Sequence, residues 1–215
     1  MEKVFFIDRK RPTDTLPYAV KIIRQGGIVL SSTDTVYGLA CDPHQPDGVK
    51  KIQELKKRPA EKGFLLLIPT PDWVDKLASR VPKYYLNLKQ FWPGPLTLLL
   101  PAGPNVPKSI VSSDEKVGIR CPDHFFLKSW LEYLGHPLLS TSANLSGEKL
   151  LTTITDLRET FEHSVDLLIF DNEEDQTEAS TVVDLTVDPP QIIRPGKLAN
   201  RVQKVLKKII QENIR

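Results

Sequence analysis

The sequence of residues 28–39 is IVLSSTDTVYGL, in which a short apolar run leads directly into hydroxyl side chains, one carboxylate and a glycine. A short apolar run bounded by polar residues is typical of a buried strand. Open α/β sheets usually bind ligands where polar segments follow the ends of buried strands. The stretch therefore predicts a sheet with a ligand site at its strand ends. As an alternative, Asp34 and Thr35 would form a hydrogen-bonded turn that caps backbone N–H groups.

The same succession of an apolar run and a polar segment recurs along the chain. Predicted strands cover residues 4–7, 28–31, 64–68, 96–100, 117–120, 138–140, 167–170, 181–185 and 191–194. Predicted helices cover residues 16–25, 47–55, 82–90 and 125–134, and a last helix runs towards the C-terminus. Because strands and helices mix without strict βαβ alternation, we predict an α/β fold: a single domain on a large twisted mixed β-sheet flanked by helices.

The last helix carries an apolar stripe opposite a basic one. Val202, Leu206 and Ile209 recur at helical spacing, and Lys204 and Lys207 lie between them. Such a pattern is typical of an amphipathic helix that covers a core. We expect residues 1–200 to form the domain, and residues 201–215 to form a helix packed on it or extending from it.

Composition excludes several classes of protein. The chain has 215 residues, of which 40% are hydrophobic and 26% charged, and this excludes collagen, a coiled coil and wholesale disorder. No apolar run approaches the roughly 20 residues that span a bilayer, and the N-terminal residues do not resemble a signal peptide. Two cysteines are too few for a disulfide scaffold. We therefore expect a cytoplasmic protein that does not associate with membranes.

The formal charge of +2 averages regions of opposite sign. Residues 156–178 contain nine acids and one arginine, whereas residues 50–62 are net +4 and residues 197–215 net +5. We predict that the acidic stretch 171–178 is a mobile loop. The basic regions indicate an anionic partner that is held locally rather than by a globally basic surface.

Familiar catalytic and nucleotide-binding motifs are missing from the sequence. There is no G-x-x-x-x-G-K-[ST], no G-x-G-x-x-G and no G-x-S-x-G, which excludes Walker and Rossmann phosphate loops and makes a hydrolytic triad improbable. Cys41 and His44, and likewise Cys121 and His124, form two C-x-x-H pairs. These pairs supply four zinc ligands if the two loops converge, and are chance loop residues if they do not.

Cationic side chains stand at the ends of several predicted elements. Lys56 and Arg58 end a helix, where they would face one anion together or simply complement the helix dipole. Arg120 and Arg194 each follow an apolar strand, and residues 138–147 run from a strand into hydroxyls and an amide. Together these groups suit a polyphosphate and a small carboxylate better than a hydrophobic ligand.

Seven motifs occur in a characteristic order between residues 28 and 197. They are T-D-T-V-Y-G-L, K-x-R-P, F-W-P-G-P-L-T-L-L-L, V-G-I-R-C-P, S-T-S-A-N-L-S-G, S-T-V-V-D-L-T and I-I-R-P-G-K. In this order they resemble the YrdC family, including its YciO branch. The resemblance implies a YrdC-like α/β fold with a concave, positively charged cleft.

The resemblance also implies an activity, the synthesis of threonylcarbamoyl-AMP from L-threonine, bicarbonate and ATP with release of pyrophosphate. This is the first step towards threonylcarbamoyladenosine in tRNA. ATP would be the nucleotide substrate and Mg²⁺ its companion ion. Further implied partners are tRNA or double-stranded RNA and the downstream tRNA-modification proteins.

Individual roles follow from the motif positions. By resemblance, the ATP contacts are Lys56, Arg58, Lys62, Ser142, Asn144, Ser180 and Arg194. The K-x-R pair, Lys56 and Arg58, and the S-x-N pair, Ser142 and Asn144, would also carry catalysis by positioning and neutralising phosphates. Thr35 and Arg120 would contact threonine, with the arginine on its carboxylate. No resident protein metal site is implied.

Three positions depart from the family pattern. Leu67 stands where a histidine contacts threonine, Lys116 where a further hydroxyl contacts it, and Leu150 where a serine contacts the nucleotide. These departures favour a rival function, a YciO-type protein that binds RNA or nucleotide in the same cleft with little or no synthase activity. A carbamoyl-transfer module of a hydrogenase-maturation protein is less consistent with the length of the chain.

Overall fold

The computed structural model describes residues 3–8, 11, 14–59, 61–171 and 178–212, which form ten strands and seven α-helices. The strands are β1 (Val4–Phe6), β2 (Val29–Ser31), β3 (Gly38–Cys41), β4 (Leu65–Leu67), β5 (Leu96–Pro101), β6 (Lys116–Arg120), β7 (Leu138–Ser142), β8 (Leu167–Phe170), β9 (Thr181–Asp184) and β10 (Gln191–Arg194). The helices are α1 (Leu16–Arg24), α2 (Pro46–Leu55), α3 (Val74–Leu77), α4 (Tyr85–Leu88), α5 (Phe125–Leu134), α6 (Ile154–Phe161) and α7 (Ala199–Glu212).

All ten strands belong to one mixed sheet in the order β1-β8-β2-β3-β7-β4-β6-β5-β9-β10. The pairs β1–β8, β2–β8, β4–β6 and β5–β9 are parallel, and the other pairs are antiparallel. Three antiparallel pairs, β2–β3, β5–β6 and β9–β10, join strands that are consecutive in the chain, whereas the other neighbours in the sheet are not consecutive and are reached by crossovers. The prediction of a large mixed sheet flanked by helices is confirmed.

Each face of the sheet carries its own hydrophobic cluster. On one face, α1 and α5 pack against alternate residues such as Val29 and Leu67. On the other face, α2, α6 and α7 pack against the intervening residues, such as Leu30 and Leu66. Because strand side chains alternate between faces, short strands that are apolar throughout serve both clusters.

Helix α5 shows how local sequence fixes one of these elements. His124 precedes it, and the Nδ1 of His124 accepts a hydrogen bond from the backbone N–H of Leu127 at 3.3 Å. The helix ends at Gly135, whose φ of +73° lies in the left-handed region that favours glycine. Between these ends, Phe126, Trp130 and Leu131 are fully buried against the sheet.

Helices α1 and α5 cover only part of their face of the sheet. Arg120 pairs in register with Leu67, a member of the α1–α5 cluster, so both side chains point to the same face. Gly118, two residues earlier on β6, points the same way and pairs with Leu65 and Leu99. The parts of β3, β7, β4, β6, β5 and β9 that α1 and α5 leave uncovered therefore form the floor of an open cleft.

The structure corrects several predicted elements. The helix predicted over residues 82–90 is present in shorter form, as the single turn α4 and a following 3-10 turn over Lys89–Phe91. Tertiary contacts dominate there, because the hydroxyls of Tyr84 and Tyr85 bond to Asp188 and to the Pro71 carbonyl. Tyr18 of α1 is 43% exposed and stacks on Phe5.

Three elements were not predicted, namely β3, the single turn α3 and α6. Strand β3 follows the polar loop without a turn signal, and pairing with β2 and β7 creates it. Helix α6 has a capping signal in the sequence, since the Thr153 side chain accepts from the Asp156 N–H. Of the predicted acidic loop, residues 172–177 lie outside the described residues.

Among the residues that the structure describes, no helix combines the length and the apolar character that a membrane span requires.

Candidate functional site

The open face of the sheet holds a cavity of about 230 Å³ that is lined mainly by hydroxyls, arginines and small apolar side chains. The lining residues are Thr33, Thr35, Val36, Gly38, Arg58, Gly63, Phe64, Leu65, Thr97, Leu99, Gly118, Arg120, Ser140, Thr141, Ser142, Leu150, Ala179, Ser180, Val182 and Arg194. None of these described lining residues is acidic. A cleft that combines three arginines with hydroxyls and no carboxylate suits an anionic ligand.

One end of the cleft is built around Arg120, which is 3% exposed. Its Nη1 donates to Thr35 Oγ1 at 2.7 Å, and its Nη2 lies 3.5 Å from Asp34 Oδ1. Thr35 Oγ1 is also 3.0 Å from Thr33 Oγ1. The two residues predicted to contact threonine are thus brought together, with Asp34 behind the guanidinium.

A second arginine is held at another wall of the cleft. Arg194 donates from Nε and Nη2 to the Ser180 carbonyl, at 3.2 and 3.0 Å, and from Nη2 to Ser180 Oγ at 2.9 Å. Ser180 Oγ is in turn 2.8 Å from Thr97 Oγ1 on β5. Arg194 and Arg120 line the same cavity. Desolvation, and then the charge of Arg120, lower the pKa of Arg194.

Arg58 forms the third cationic corner. Its Nε donates to the Lys62 carbonyl at 3.2 Å, its Nη2 donates to the Gly63 carbonyl, and its guanidinium stacks 4.8 Å from the centre of the Phe64 ring. These contacts fix the plane of the guanidinium at the edge of the cavity. Desolvation lowers the pKa of Arg58.

Lys56 takes a different direction from Arg58, although the two residues were predicted to face one anion together. Lys57 between them adopts a φ of +50°. The Lys56 ammonium lies beneath the turn after β7, where it donates to the carbonyls of Ser142 and Asn144 and to Asn144 Oδ1. Lys56 is not among the described residues that line the cavity. Burial, and to a lesser degree the charge of Arg58, lower its pKa to about 8.

The S-x-N pair is divided between the cavity and the interior. Ser142 lines the cavity and donates from Oγ to Asn144 Oδ1 at 2.5 Å. Asn144 is buried and donates from Nδ2 to the carbonyls of Leu145 and Glu148. Lys62 is exposed, and its backbone carbonyl rather than its ammonium supports Arg58.

The three departing positions have defined surroundings. Leu67 is buried in the α1–α5 cluster, and Leu150 lines the cavity. Lys116 forms ion pairs with Asp114 at 2.6 Å and with Asp184 at 2.8 Å, and both carboxylates raise its pKa. Since Lys116 and Arg120 lie on the same face of β6, this ion-paired cluster adjoins the cleft floor.

Sequence reasoning missed several lining residues. Thr97 and Ser140 point into the cleft from strands that are otherwise apolar, and Gly118 opens its floor. A signal existed, because a polar residue or a glycine two positions from a functional side chain shares its face of a strand. Arg120 and Gly118 have this spacing.

The two C-x-x-H pairs do not converge. Cys41 lies on β3 and Cys121 directly follows β6, and two strands separate β3 from β6. At the usual spacing of about 4.8 Å between strands, the two cysteines are roughly 14 Å or more apart. Burial raises the pKa of Cys41 to about 12 and that of Cys121 to about 11. No cluster of three or more potential ligands occurs among the described residues.

Comparison with known proteins relates the cleft to a family. The family model for Sua5, YciO and YrdC proteins, described as telomere recombination, matches residues 21–196. The chain belongs to this family. Within the Sua5/YciO/YrdC family, it is similar to the threonylcarbamoyl-AMP synthase of Pyrococcus abyssi, at 36% identity over 193 residues, or 89% of this chain and 57% of the relative.

Two solved structures of the family extend the comparison. P. abyssi Sua5 complexed with L-threonine matches with a TM-score of 0.88 and 32% identity, covering 95% of this chain and 61% of that chain. Escherichia coli YciO matches with a TM-score of 0.82 and 27% identity, covering 92% of this chain and 97% of that chain. The chain thus spans about three fifths of the Pyrococcus proteins and nearly the full length of YciO.

Proposed function

We propose that this protein is an ATP-dependent L-threonylcarbamoyladenylate synthase, a nucleotidyltransferase that acts in the threonylcarbamoyladenosine modification of tRNA. The observation that carries the proposal is the cleft itself, in which Arg120 with Thr35 and Arg194 with Ser180 offer two separately oriented anion sites within one cavity. A substrate carboxylate and a polyphosphate need two such sites. The Pyrococcus relative carries the name threonylcarbamoyl-AMP synthase, and the related Sua5 structure holds L-threonine.

The chemistry would need orientation more than a covalent nucleophile. The threonine amine adds to carbon dioxide derived from bicarbonate and loses a proton, giving a carbamate. A carbamate oxygen then attacks the α-phosphorus of ATP, and the bond from that phosphorus to the leaving pyrophosphate breaks. Such a step depends on alignment and on neutralising phosphate charge, for which Arg58, Arg194 and the hydroxyls of Ser142 and Ser180 are available.

Mg²⁺ fits this cleft as the companion of ATP rather than as a resident ion. The described lining offers hydroxyl oxygens but no carboxylate, the ligand that Mg²⁺ usually takes from proteins. Magnesium would therefore arrive on the phosphates, and Ser142 is the lining hydroxyl that would help to hold it. Its contribution would be to neutralise phosphate charge.

A four-component assay tests the proposal. We expect threonylcarbamoyl-AMP and pyrophosphate to form only when L-threonine, bicarbonate, ATP and Mg²⁺ are all present. Omitting any one component should abolish both products, and Arg58→Ala should reduce turnover at least tenfold. Pyrophosphate release without threonine, or full turnover by Arg58→Ala, would contradict the proposed reaction or the proposed site respectively.

A second candidate is the binding of RNA or nucleotide with little synthase activity. The surroundings of Leu67 and Lys116 favour it, since a buried leucine and an ion-paired lysine replace two threonine-contacting groups. A tRNA gel shift at several salt concentrations separates the candidates, because contacts to phosphates weaken steeply with salt. Tight, salt-sensitive RNA binding without product formation would favour this second function.

The wider setting is part of the same proposal. A threonylcarbamoyl-AMP product would be consumed by tRNA-modification proteins, and tRNA would be the final acceptor. This reaction would take place in the cytoplasm. Fractionation of cells that express a tagged chain tests the compartment.

A further inference from the structure

Lys56 is an unusual lysine because it is only 2% exposed, and lysine is rarely buried without a defined set of partners. An ammonium group has three N–H donors and no acceptor. The Ser142 and Asn144 carbonyls each lie 2.5 Å from its Nζ, and Asn144 Oδ1 lies at 3.3 Å. These three oxygens match the capacity of the ammonium and leave no donor for a ligand phosphate.

The same turn is bonded back to Lys56 and to itself. The Ser146 N–H donates to the Lys56 carbonyl at 3.0 Å, so main chain and side chain of Lys56 both contact the turn. Within the turn, Ser142 Oγ donates to Asn144 Oδ1, and Asn144 Nδ2 donates to the Glu148 carbonyl at 2.8 Å. The turn of residues 142–148 is therefore hydrogen-bonded to the buried Lys56 through both the ammonium and the backbone carbonyl of this lysine.

The cavity is reached from this cluster through Ser142. Ser142 lines the cavity, whereas Lys56 and Asn144 lie behind it. Arg58, two residues from Lys56, faces the cavity directly and is supported by the Gly63 carbonyl and the Phe64 ring. Of the two cations of the K-x-R motif, Arg58 thus lines the cavity and Lys56 lies behind the lining.

We propose that Lys56 is a positioning residue, whose ammonium holds the 142–148 turn in the shape that presents Ser142 to the ligand, while Arg58 contacts the ligand itself. The identity of that ligand rests on the proposed function. The hold of the Lys56 ammonium on the 142–148 turn, called the clamp below, does not. Removing the ammonium would take a charged donor away from three oxygens of the turn, which is unfavourable enough to make the turn reorganise.

Hydrogen exchange in the ligand-free protein tests the clamp directly. The amides of Ala143, Asn144, Ser146 and Glu148 are each hydrogen-bonded within or near the turn. In Lys56→Met, which keeps an unbranched side chain of similar length, we expect these amides to exchange at least tenfold faster than in the native chain. The matched control, Arg58→Met, should leave them unchanged. Unchanged exchange in Lys56→Met would overturn the proposal.

A milder variant covers the case in which Lys56→Met does not fold. Asn144→Ala removes the side-chain acceptor of Lys56, together with the Nδ2 donor to the Leu145 and Glu148 carbonyls, and keeps the two backbone acceptors. It should accelerate exchange of the Ser146 and Glu148 amides a few-fold. No acceleration in that variant counts against the clamp. This measurement needs no ligand, so it stands even if the protein proves not to bind ATP.

A double-mutant cycle on ATP affinity separates positioning from direct contact. If Lys56 acts through the turn, Ser142→Ala should weaken ATP binding in the native background but have little further effect in Lys56→Met. If Lys56 contacts the phosphates itself, the two losses should multiply, and the proposal would be overturned. Combining Ser142→Ala with Arg58→Met should give multiplied losses in either case.

Discussion

At the residue scale, each of the three arginines that line the cavity is oriented by a hydrogen bond to an uncharged oxygen. Thr35 orients Arg120, Ser180 orients Arg194, and the Gly63 carbonyl orients Arg58. Each guanidinium keeps its charge but loses rotational freedom before any ligand arrives. Such preorganisation reduces the conformational entropy that binding would otherwise cost.

Arg120 gives the first prediction at this scale. Replacing it by Gln removes the cation that would meet the amino-acid carboxylate, and charged hydrogen bonds contribute about 1.5–3 kcal/mol. We expect KM for L-threonine to rise at least tenfold in Arg120→Gln, with a much smaller change in KM for ATP. Steady-state kinetics with each substrate varied in turn measures this.

The control addresses Asp34, which loses its ionic partner in that variant. The double variant Arg120→Gln, Asp34→Asn removes both charges and should recover most of any lost melting temperature without recovering threonine affinity. Equal rises in both KM values would show that Arg120 does not act on threonine.

The Lys56 ammonium gives a pH-dependent prediction. Burial lowers its pKa to about 8, so the group loses a proton as the pH rises through 8. A neutral amine has two N–H donors for three acceptors, and the turn should loosen. We expect equilibrium ATP affinity to fall between pH 7 and pH 9.5 at constant magnesium.

Calorimetric titration of ATP at several pH values measures this change. In Lys56→Met the affinity should be low and flat over the same range, because the titrating group is gone. A native chain whose ATP affinity does not change between these pH values would contradict the prediction.

At the element scale, one strand carries three functions on alternate residues. In β6, Lys116 is ion-paired, Gly118 opens the floor and Arg120 is the cation proposed to meet the amino-acid carboxylate, and all three point to the same face. The intervening Val117 and Ile119 are buried in the opposite cluster. The period of two therefore divides the strand into a site half and a core half.

Gly118 gives the prediction that belongs to this strand. A Cβ at this position would meet Leu99, Phe64 and Thr97 at 3.5 Å, an ordinary contact distance. We expect Gly118→Ala and Gly118→Val to fold with melting temperatures near that of the native chain. Gly118→Val should lower kcat/KM at least tenfold, because its side chain occupies ligand space.

Gly118→Ala should have a smaller effect than Gly118→Val, which makes the pair a graded steric test. Native kcat/KM in a folded Gly118→Val variant would show that the ligand does not approach this part of the floor.

At the scale of the whole molecule, the sheet separates a site-bearing face from a face that is covered by helices. Helix α7 lies on the covered face, where Val202, Leu206 and Ile209 join the same cluster as strands β2 and β6. This packing indicates that the C-terminal helix unfolds together with the sheet.

Leu206→Ala tests that coupling. Truncating a fully buried leucine generally lowers the free energy of unfolding by about 2–5 kcal/mol, and Leu206 is 2% exposed. We expect a loss in this range in urea denaturation with a single transition. The neighbouring exposed Lys207→Ala should change it by less than about 0.5 kcal/mol. A separate early transition would contradict the coupling.

The sequence by itself determined the class of the fold and most of its strands. Apolar runs that are bounded by polar segments are local signals, and nine of the ten strands have them. β3 has no such signal, and it lies between β2, which directly precedes it in the chain, and β7, whose residues are far away in the chain. The helix expected over residues 82–90 is shorter than predicted, and Tyr84 and Tyr85 at its start bond to Asp188 and to the Pro71 carbonyl, which lie outside this segment.

The sequence also indicated several of the cations and hydroxyls that line the cavity, because the charged and hydroxyl motifs stand at the ends of strands and helices. Whether each of these residues lines the cavity or lies behind its lining depends on the tertiary structure. Lys56 and Arg58 look equivalent in K-x-R, yet one ammonium is enclosed by the Ser142–Asn144 turn and one guanidinium faces the cavity. Hydrogen-bond partners are set by distances in space rather than along the chain. Lys56 and its partner Ser142 are more than eighty positions apart in the sequence, so the sequence pattern does not show their contact.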